Sequence, residues 1–152
     1  HKEYRRQRQM CIRDRAKHCP VNVIGIAADV NTVSFKPESF DRVLFSAALQ
    51  HFSPTETIAL LNRLRHWLKP NGVLLITDIP DQQRMWNFFN SDEREVNYFA
   101  NELAGTPIIG SWYDKQWLVK LAKFSDFSDA EVVNQPDDFP YAHYRFDLLC
   151  RV

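Results

Sequence analysis

Residues 27–52 read AADVNTVSFKPESFDRVLFSAALQHF and residues 64–80 read LRHWLKPNGVLLITDIP. Each stretch contains a short apolar, partly β-branched run, Arg42 to Ala47 and Gly72 to Thr77. A turn precedes each run, Lys36-Pro-Glu-Ser in the first and Pro70-Asn-Gly in the second. Short apolar runs without alternation are how strands buried on both faces of a parallel sheet read. A third such run, Val21 to Ala28, ends at Asp29, so three parallel strands are predicted. Parallel neighbours need a crossover, and Ser53-Pro-Thr-Glu56 supplies its start with an N-cap hydroxyl, a proline at the first helical position and a capping-box glutamate. The helix is expected to reach about Trp67. Ile58, Leu61, Leu64 and Leu68 would form its packed stripe, with Arg63, Arg65 and Lys69 in water. The result is a right-handed βαβ unit.

Beyond Asp78 the pattern turns helical and aromatic-rich from about Gln82 to Leu103, with a break expected near Asn90 and Ser91 and a stop at Gly105. A further helix is expected from about Asp114 to Phe124. Two more strands follow, about Ala130 to Asn134 and Tyr144 to Val152, separated by the loop from Gln135 to Pro140. The sequence shows no internal repeat and no low-complexity segment.

At 152 residues and 45% hydrophobic content, the chain is long enough for one domain with a core. No apolar run approaches the roughly 18 residues of a membrane span, and the N-terminal residues lack the order of a signal peptide, so a cytoplasmic location is the expectation. Cys11, Cys19 and Cys150 show neither paired spacing nor accompanying histidines, which points to plain thiols rather than a metal site or a disulfide framework. Formal charge is zero, yet residues 1–15 hold six basic side chains against two acidic ones, leaving the remainder at −4. A basic arm can bind nucleic acid. Residues Arg5 to Arg15, however, resemble the translation of a transposase sequencing adaptor. Residues 1–15 are therefore expected to be a non-native leader and 16–152 the domain proper, with no basic nucleic-acid surface once the leader is set aside.

From Asn22 to Asp78 the order of elements resembles the core of the class I S-adenosylmethionine-dependent methyltransferases. Three features carry the likeness: an acid closing the first apolar run (Asp29), a Phe-Asp pair opening the second (Phe40, Asp41), and Leu-Lys-Pro-Asn-Gly (Leu68 to Gly72) opening the third. The resemblance implies an α/β, Rossmann-like fold with strand order 3-2-1-4-5-7-6 and an antiparallel last strand, of which this chain would hold strands 3 to 7. It also implies S-adenosyl-L-methionine as cofactor. Asp29 would accept from the adenine amine, with Ala28 and Val30 beside it and the Val30 amide meeting a ring nitrogen. Ser46 and Ala47 would lie under the methionine part, where open α/β sheets place ligands, with Gln50 on the following loop facing the same crevice. His51 and Asp78 are the candidates for removing a proton from the acceptor. Trp86, Tyr98, Trp112, Tyr113, His143 and Tyr144 could line an acceptor pocket, although aromatics at helical spacing usually build core. The sulfonium is already an activated donor, so no metal is expected. The acceptor would be a small molecule methylated on oxygen or nitrogen.

In that family two strand–helix units of about 30 residues each precede the third strand, the first carrying a glycine-rich turn. Only 28 residues precede Asp29, and the chain has four glycines and no GxGxxG-like element. The expected sheet is therefore cut in its middle, with the fourth strand as an open edge and cofactor affinity poor in the chain as written. Two other readings compete. One is a non-catalytic Rossmann-like binding domain. The other is a nicotinamide-dependent oxidoreductase, which fits less well because no Tyr-x-x-x-Lys site follows the fourth strand.

Overall fold

The computed structural model describes residues 22–152, so the basic leader, Cys11, Cys19 and Val21 lie outside the described residues. The chain divides after Ser34 into two units. In the first, the strand expected over Val21 to Ala28 does not form: residues 22–28 are exposed and without regular structure. An extended segment becomes a strand only by pairing its N–H and C=O groups with a neighbour, and none pairs residues 22–28 among the described residues. What the unit does hold is a turn built on Asp29. Its carboxylate accepts from the Asn31 amide at 2.8 Å, and its carbonyl accepts from the Thr32 and Val33 amides at 3.0 and 2.8 Å.

The second unit is a four-stranded sheet of β1 (Phe40–Ser46), β2 (Leu68–Pro80), β3 (Asp129–Asn134) and β4 (Arg145–Arg151), in the order β1-β2-β4-β3. β1 and β2 run parallel, with Leu44 opposite Leu75 and Ser46 opposite Thr77, and β4 is antiparallel to both β2 and β3. The crossover is helix α1 (Pro54–Trp67). Short helix α2 (Met85–Phe88) follows β2, then α3 (Asp92–Leu103) and α4 (Lys115–Phe124). The expected break in the aromatic-rich stretch falls at Phe89–Ser91, where Ser91 caps α3 by accepting from the Arg94 amide. Gly105 follows α3 at φ +68°.

One face of the sheet carries the core. Leu74 and Ile76 of β2 and Phe146, Leu148 and Cys150 of β4 are fully buried, with Leu60, Leu61 and Leu64 of α1 and Leu118 and Ala122 of α4. That burial drives the Cys150 thiol pKa up to about 12, so it stays protonated. The opposite face is more open, and Leu44 on the edge strand β1 is 66% exposed.

Two expectations need correction. The packed stripe of α1 is Thr57, Leu60, Leu61, Leu64 and Trp67, and Ile58 faces outward. Thr57 takes the inward place because its hydroxyl meets the buried Tyr113 hydroxyl at 2.8 Å, so a polar side chain there is satisfied. The Pro70-Asn-Gly turn does not precede its strand but interrupts it. β2 begins at Leu68 opposite Phe40, and the ladder shifts register before Arg42 meets Val73, with Asn71 at φ +63°.

The N-terminus of α1 has a complete capping box: Ser53 Oγ accepts from the Glu56 amide, and Glu56 Oε2 accepts from the Ser53 amide and hydroxyl at 2.7 Å. Those bonds hold the Glu56 carboxyl below its ordinary 4.5. A depressed acid stabilises above that range and loses its contribution as pH falls through the lowered value. Ser53→Ala should therefore cost about 1 kcal/mol in urea unfolding at neutral pH. The stability gap between wild type and Glu56→Ala should narrow below about pH 4; a gap independent of pH would refute this account of the cap.

Candidate functional site

Because β1 and β2 are parallel, their C-terminal ends emerge on one rim, and a left-handed residue follows β1 and another lies near the end of β2. Ala47 has φ +51° and Asp78 φ +60°, and the Ala47 amide donates to the Thr77 carbonyl at 3.1 Å. Backbone strain of this kind persists only when the surroundings over-determine it. At Asp78 the restraint comes from β4. Ile76 pairs with Leu148 and Ile79 with Phe146, so Thr77 and Asp78 together oppose Asp147 in a β-bulge. The Asp78 amide donates to Asp147 Oδ1 at 3.0 Å, and Arg145 Nη1 donates to the Asp78 carbonyl. Gln135 Nε2 completes the clamp by donating to Asp147 Oδ1 at 2.8 Å and Asp78 Oδ1 at 3.2 Å.

The loop after β1 is held from the other side. Residues 49–51 form one 3₁₀ turn, and the Gln50 carbonyl accepts from the Ser111 amide at 2.8 Å. Gly110, at φ +94°, sits so close that a Cβ there would come within 2.3 Å of the Gln50 carbonyl oxygen. Below it the buried Tyr113 hydroxyl reaches the Phe52 carbonyl at 2.7 Å and the Leu49 carbonyl at 3.1 Å, leaving a lone pair for Thr57. Burial raises the Tyr113 pKa above the ordinary tyrosine value, partly offset by the Thr57 and Ser111 hydroxyls. Just past β2, the fully buried Asp81 pairs with Lys115 Nζ at 2.9 Å and ties the start of α4 to the same end of the sheet.

Between these two clamps lies a cavity of about 370 Å³ whose wall includes Ala47, Gln50 and Asp78. Phe88, Ile109, Tyr144 and Arg145 lie across from them. Three residues singled out from the sequence thus meet around one space, and two nearby do not reach its wall. Ser46 is exposed and accepts from the Thr77 hydroxyl at 2.8 Å, and His51 is exposed at the end of its turn. Ala28, Asp29 and Val30 belong to the other unit, where Asp29 Oδ1 is engaged by Asn31. The aromatic candidates divide. Tyr144 lines the cavity, and Trp112 and Tyr113 line a separate one of about 290 Å³ with Pro54 and Trp117. Trp86 and Tyr98 pack on each other and on Phe89, while His143 packs edge-on to Tyr144.

Gly110, Gln135, Arg145 and Asp147 were not anticipated. A lone loop glycine and an arginine opening an apolar strand have many uses, and only the bulge gives these residues their roles. Gly110→Ala should cost about 1–3 kcal/mol, through strain at a left-handed residue and the clash with Gln50. Tyr113→Phe should cost about 1–3 kcal/mol by leaving a buried polar group unpaired. Urea unfolding measures both, and a neutral Gly110→Ala would show that the loop yields freely.

Residues 6–72 match the methyltransferase domain family model. No curated protein matches the sequence. Among solved structures, the S-adenosylmethionine-dependent methyltransferase SibL aligns with a TM-score of 0.66 at 19% identity, over 91% of this chain and 38% of that one. A Pyrococcus horikoshii protein aligns at 0.65 and 20% identity, over 91% and 64%. A Haemonchus contortus phosphoethanolamine N-methyltransferase, in complex with phosphomonomethylethanolamine and S-adenosylhomocysteine, aligns at 0.56 and 19%, over 82% and 36%. The chain spans less than two thirds of the length of each of these structures. At such identities the likeness speaks for the fold alone, a Rossmann-like α/β sheet shared with methyltransferases, and the methyltransferase domain model matches less than half of the chain.

Proposed function

We propose that the protein to which this domain belongs transfers the methyl group of S-adenosylmethionine to an oxygen or nitrogen of a small molecule. The observation that carries this reading is the meeting of Ala47, Gln50 and Asp78 around one cavity at the C-terminal rim of the parallel strands, where open α/β sheets bind ligands. The residues suit the cofactor. Gln50 Oε1 is buried with no donor among the described residues, so it can take one from an ammonium or a ribose hydroxyl, and Ala47 leaves space. When bound, the cofactor supplies an activated sulfonium methyl. In the first unit, Asp29 would be the acceptor for the adenine amine, with Ala28 and Val30 beside it; in the second, Ser46 would be the residue toward the methionine part.

The chain's remaining tasks are to orient the acceptor, exclude water and receive a proton where the acceptor loses one. Asp78 is the better placed base, since it lines the cavity, while His51 is exposed and off its wall. For a hydroxyl or amine acceptor, Asp78 would receive the proton that the acceptor atom gives up as it takes the methyl.

A chimera tests this reading: two strand–helix units of a structurally similar methyltransferase grafted ahead of residue 22. The chimera is expected to bind S-adenosylhomocysteine in calorimetric titration, and Asp29→Ala to weaken binding about tenfold or more. Asp78→Asn should lower turnover about 100-fold or more with the cofactor Kd unchanged, and His51→Gln should have a smaller effect. A chimera that folds yet binds no cofactor would favour the non-catalytic binding domain.

A further inference from the structure

Resting on that reading, we propose that the acceptor carries an oxyanion, a carboxylate or a phosphate, and that Arg145 holds it through the Nε and Nη2 edge of its guanidinium. Arg145 opens β4 and is 8% exposed. Its Nη1 is spent on the Asp78 carbonyl, which fixes the plane of the group. Nε is buried without an acceptor, and no bond engages Nη2 among the described residues. These two nitrogens present parallel N–H bonds, the fork that matches a carboxylate or phosphate in two-point contact.

A buried cation is ordinarily paired. Arg84 and Lys115 share the buried Asp81, and Arg151 sits between Asp129 and Glu131. Arg145 has no carboxylate partner among the described residues; besides the Asp78 carbonyl, it meets the rings of Tyr141 and Tyr144, at 5.5 and 5.1 Å from their centroids. Asp78 does not fill that role, because Arg145 reaches its carbonyl while its carboxylate is engaged by Gln135. Arg145 is on the wall of the cavity that Asp78 and Gln50 share, and Phe88, Ile109 and Tyr144 make much of the rest apolar. An anionic head against Arg145, an apolar or aromatic body along those side chains, and a nucleophilic hydroxyl or amine toward Asp78 together define the class. Tyr141, 53% accessible, lines the same cavity beside Arg145.

The test is binding, which needs no methyl transfer. The 152-residue chain is titrated with 4-hydroxybenzoate, 4-hydroxyphenyl phosphate and the neutral 4-hydroxybenzamide, with tryptophan fluorescence as the readout and inorganic phosphate as a competitor. At least one oxyanion should bind about tenfold or more tighter than the amide. R145Q should abolish that preference, and R145K should retain part of it. The tighter oxyanion identifies the head group, and displacement by inorganic phosphate alone would show that the anion suffices without the body. Thermal unfolding of each variant separates lost binding from lost fold; if R145Q unfolds, R145K against wild type decides. Equal binding of acid and amide, no binding of either acid, or a preference that survives in R145Q overturns the proposal.

In the chimera, R145Q should leave S-adenosylhomocysteine affinity within about twofold. A loss there with the acid preference intact would assign Arg145 to the cofactor and equally overturn the proposal. A chimera without cofactor affinity, in a chain that still prefers the acids, would refute methyl transfer and leave the anion site standing.

Discussion

Two strands that run in the same direction end on the same rim, and that constraint organises everything else in this domain. Parallel pairing of β1 with β2 requires the α1 crossover, whose packed stripe covers one face of the sheet. It also delivers Ala47 and Asp78 side by side, both in left-handed backbone, with the Ala47 amide bonded across to Thr77. Antiparallel β4 then does what a parallel neighbour could not: its ladder with β2 contains a bulge, and the bulge turns Asp78 toward the cavity while Asp147 and Arg145 hold its backbone.

Such an arrangement is stable only if both loops at the rim are restrained. Ser111 and Tyr113 bind the carbonyls of the β1 loop, with Gly110 packed against Gln50, and the same segment extends the edge beyond β2, with the Tyr113 amide on the Pro80 carbonyl and the Gln82 amide on the Tyr113 carbonyl. Residues 110–113 therefore couple the two strand ends. A shift in either would break bonds of 2.7 to 3.0 Å that tie both strand ends to this one segment.

Local chemistry explains which parts of this were legible in the sequence. Ser53, Pro54 and Glu56 specify a helix start by themselves, and the apolar runs of β1 and β2 identify strands, because each signal lies within a few residues. The fold and the rim followed from them, and Ala47, Gln50 and Asp78 do share a cavity. Features that depend on distant residues were not legible. The inward choice of Thr57 over Ile58 is made by Tyr113, and residues 22–28 read as strand by composition but lack the partner that would make them one. Arg145 acquired a role only when the bulge brought the Asp78 carbonyl within its reach. His51 looked equal to Asp78 in sequence, and a 3₁₀ turn of three residues leaves it exposed.

Buried polar side chains in folded proteins nearly all find partners, so each exception asks for a cause. Among the described residues four side-chain atoms are buried without one: Gln50 Oε1, Ser125 Oγ, Gln135 Oε1 and Arg145 Nε. Ser125 belongs to the end of α4. The other three belong to one neighbourhood, since Gln50 and Arg145 line the cavity and Gln135 bonds to Asp78 on its wall. Elsewhere this chain satisfies its polar groups closely, as the capping box of α1 and the Tyr113 network show. A fold that pairs its groups so fully at the clamps, and leaves an acceptor and a charged donor unpaired in the space between them, concentrates its unmet hydrogen-bonding capacity where a ligand carrying both a donor and an anion would meet it.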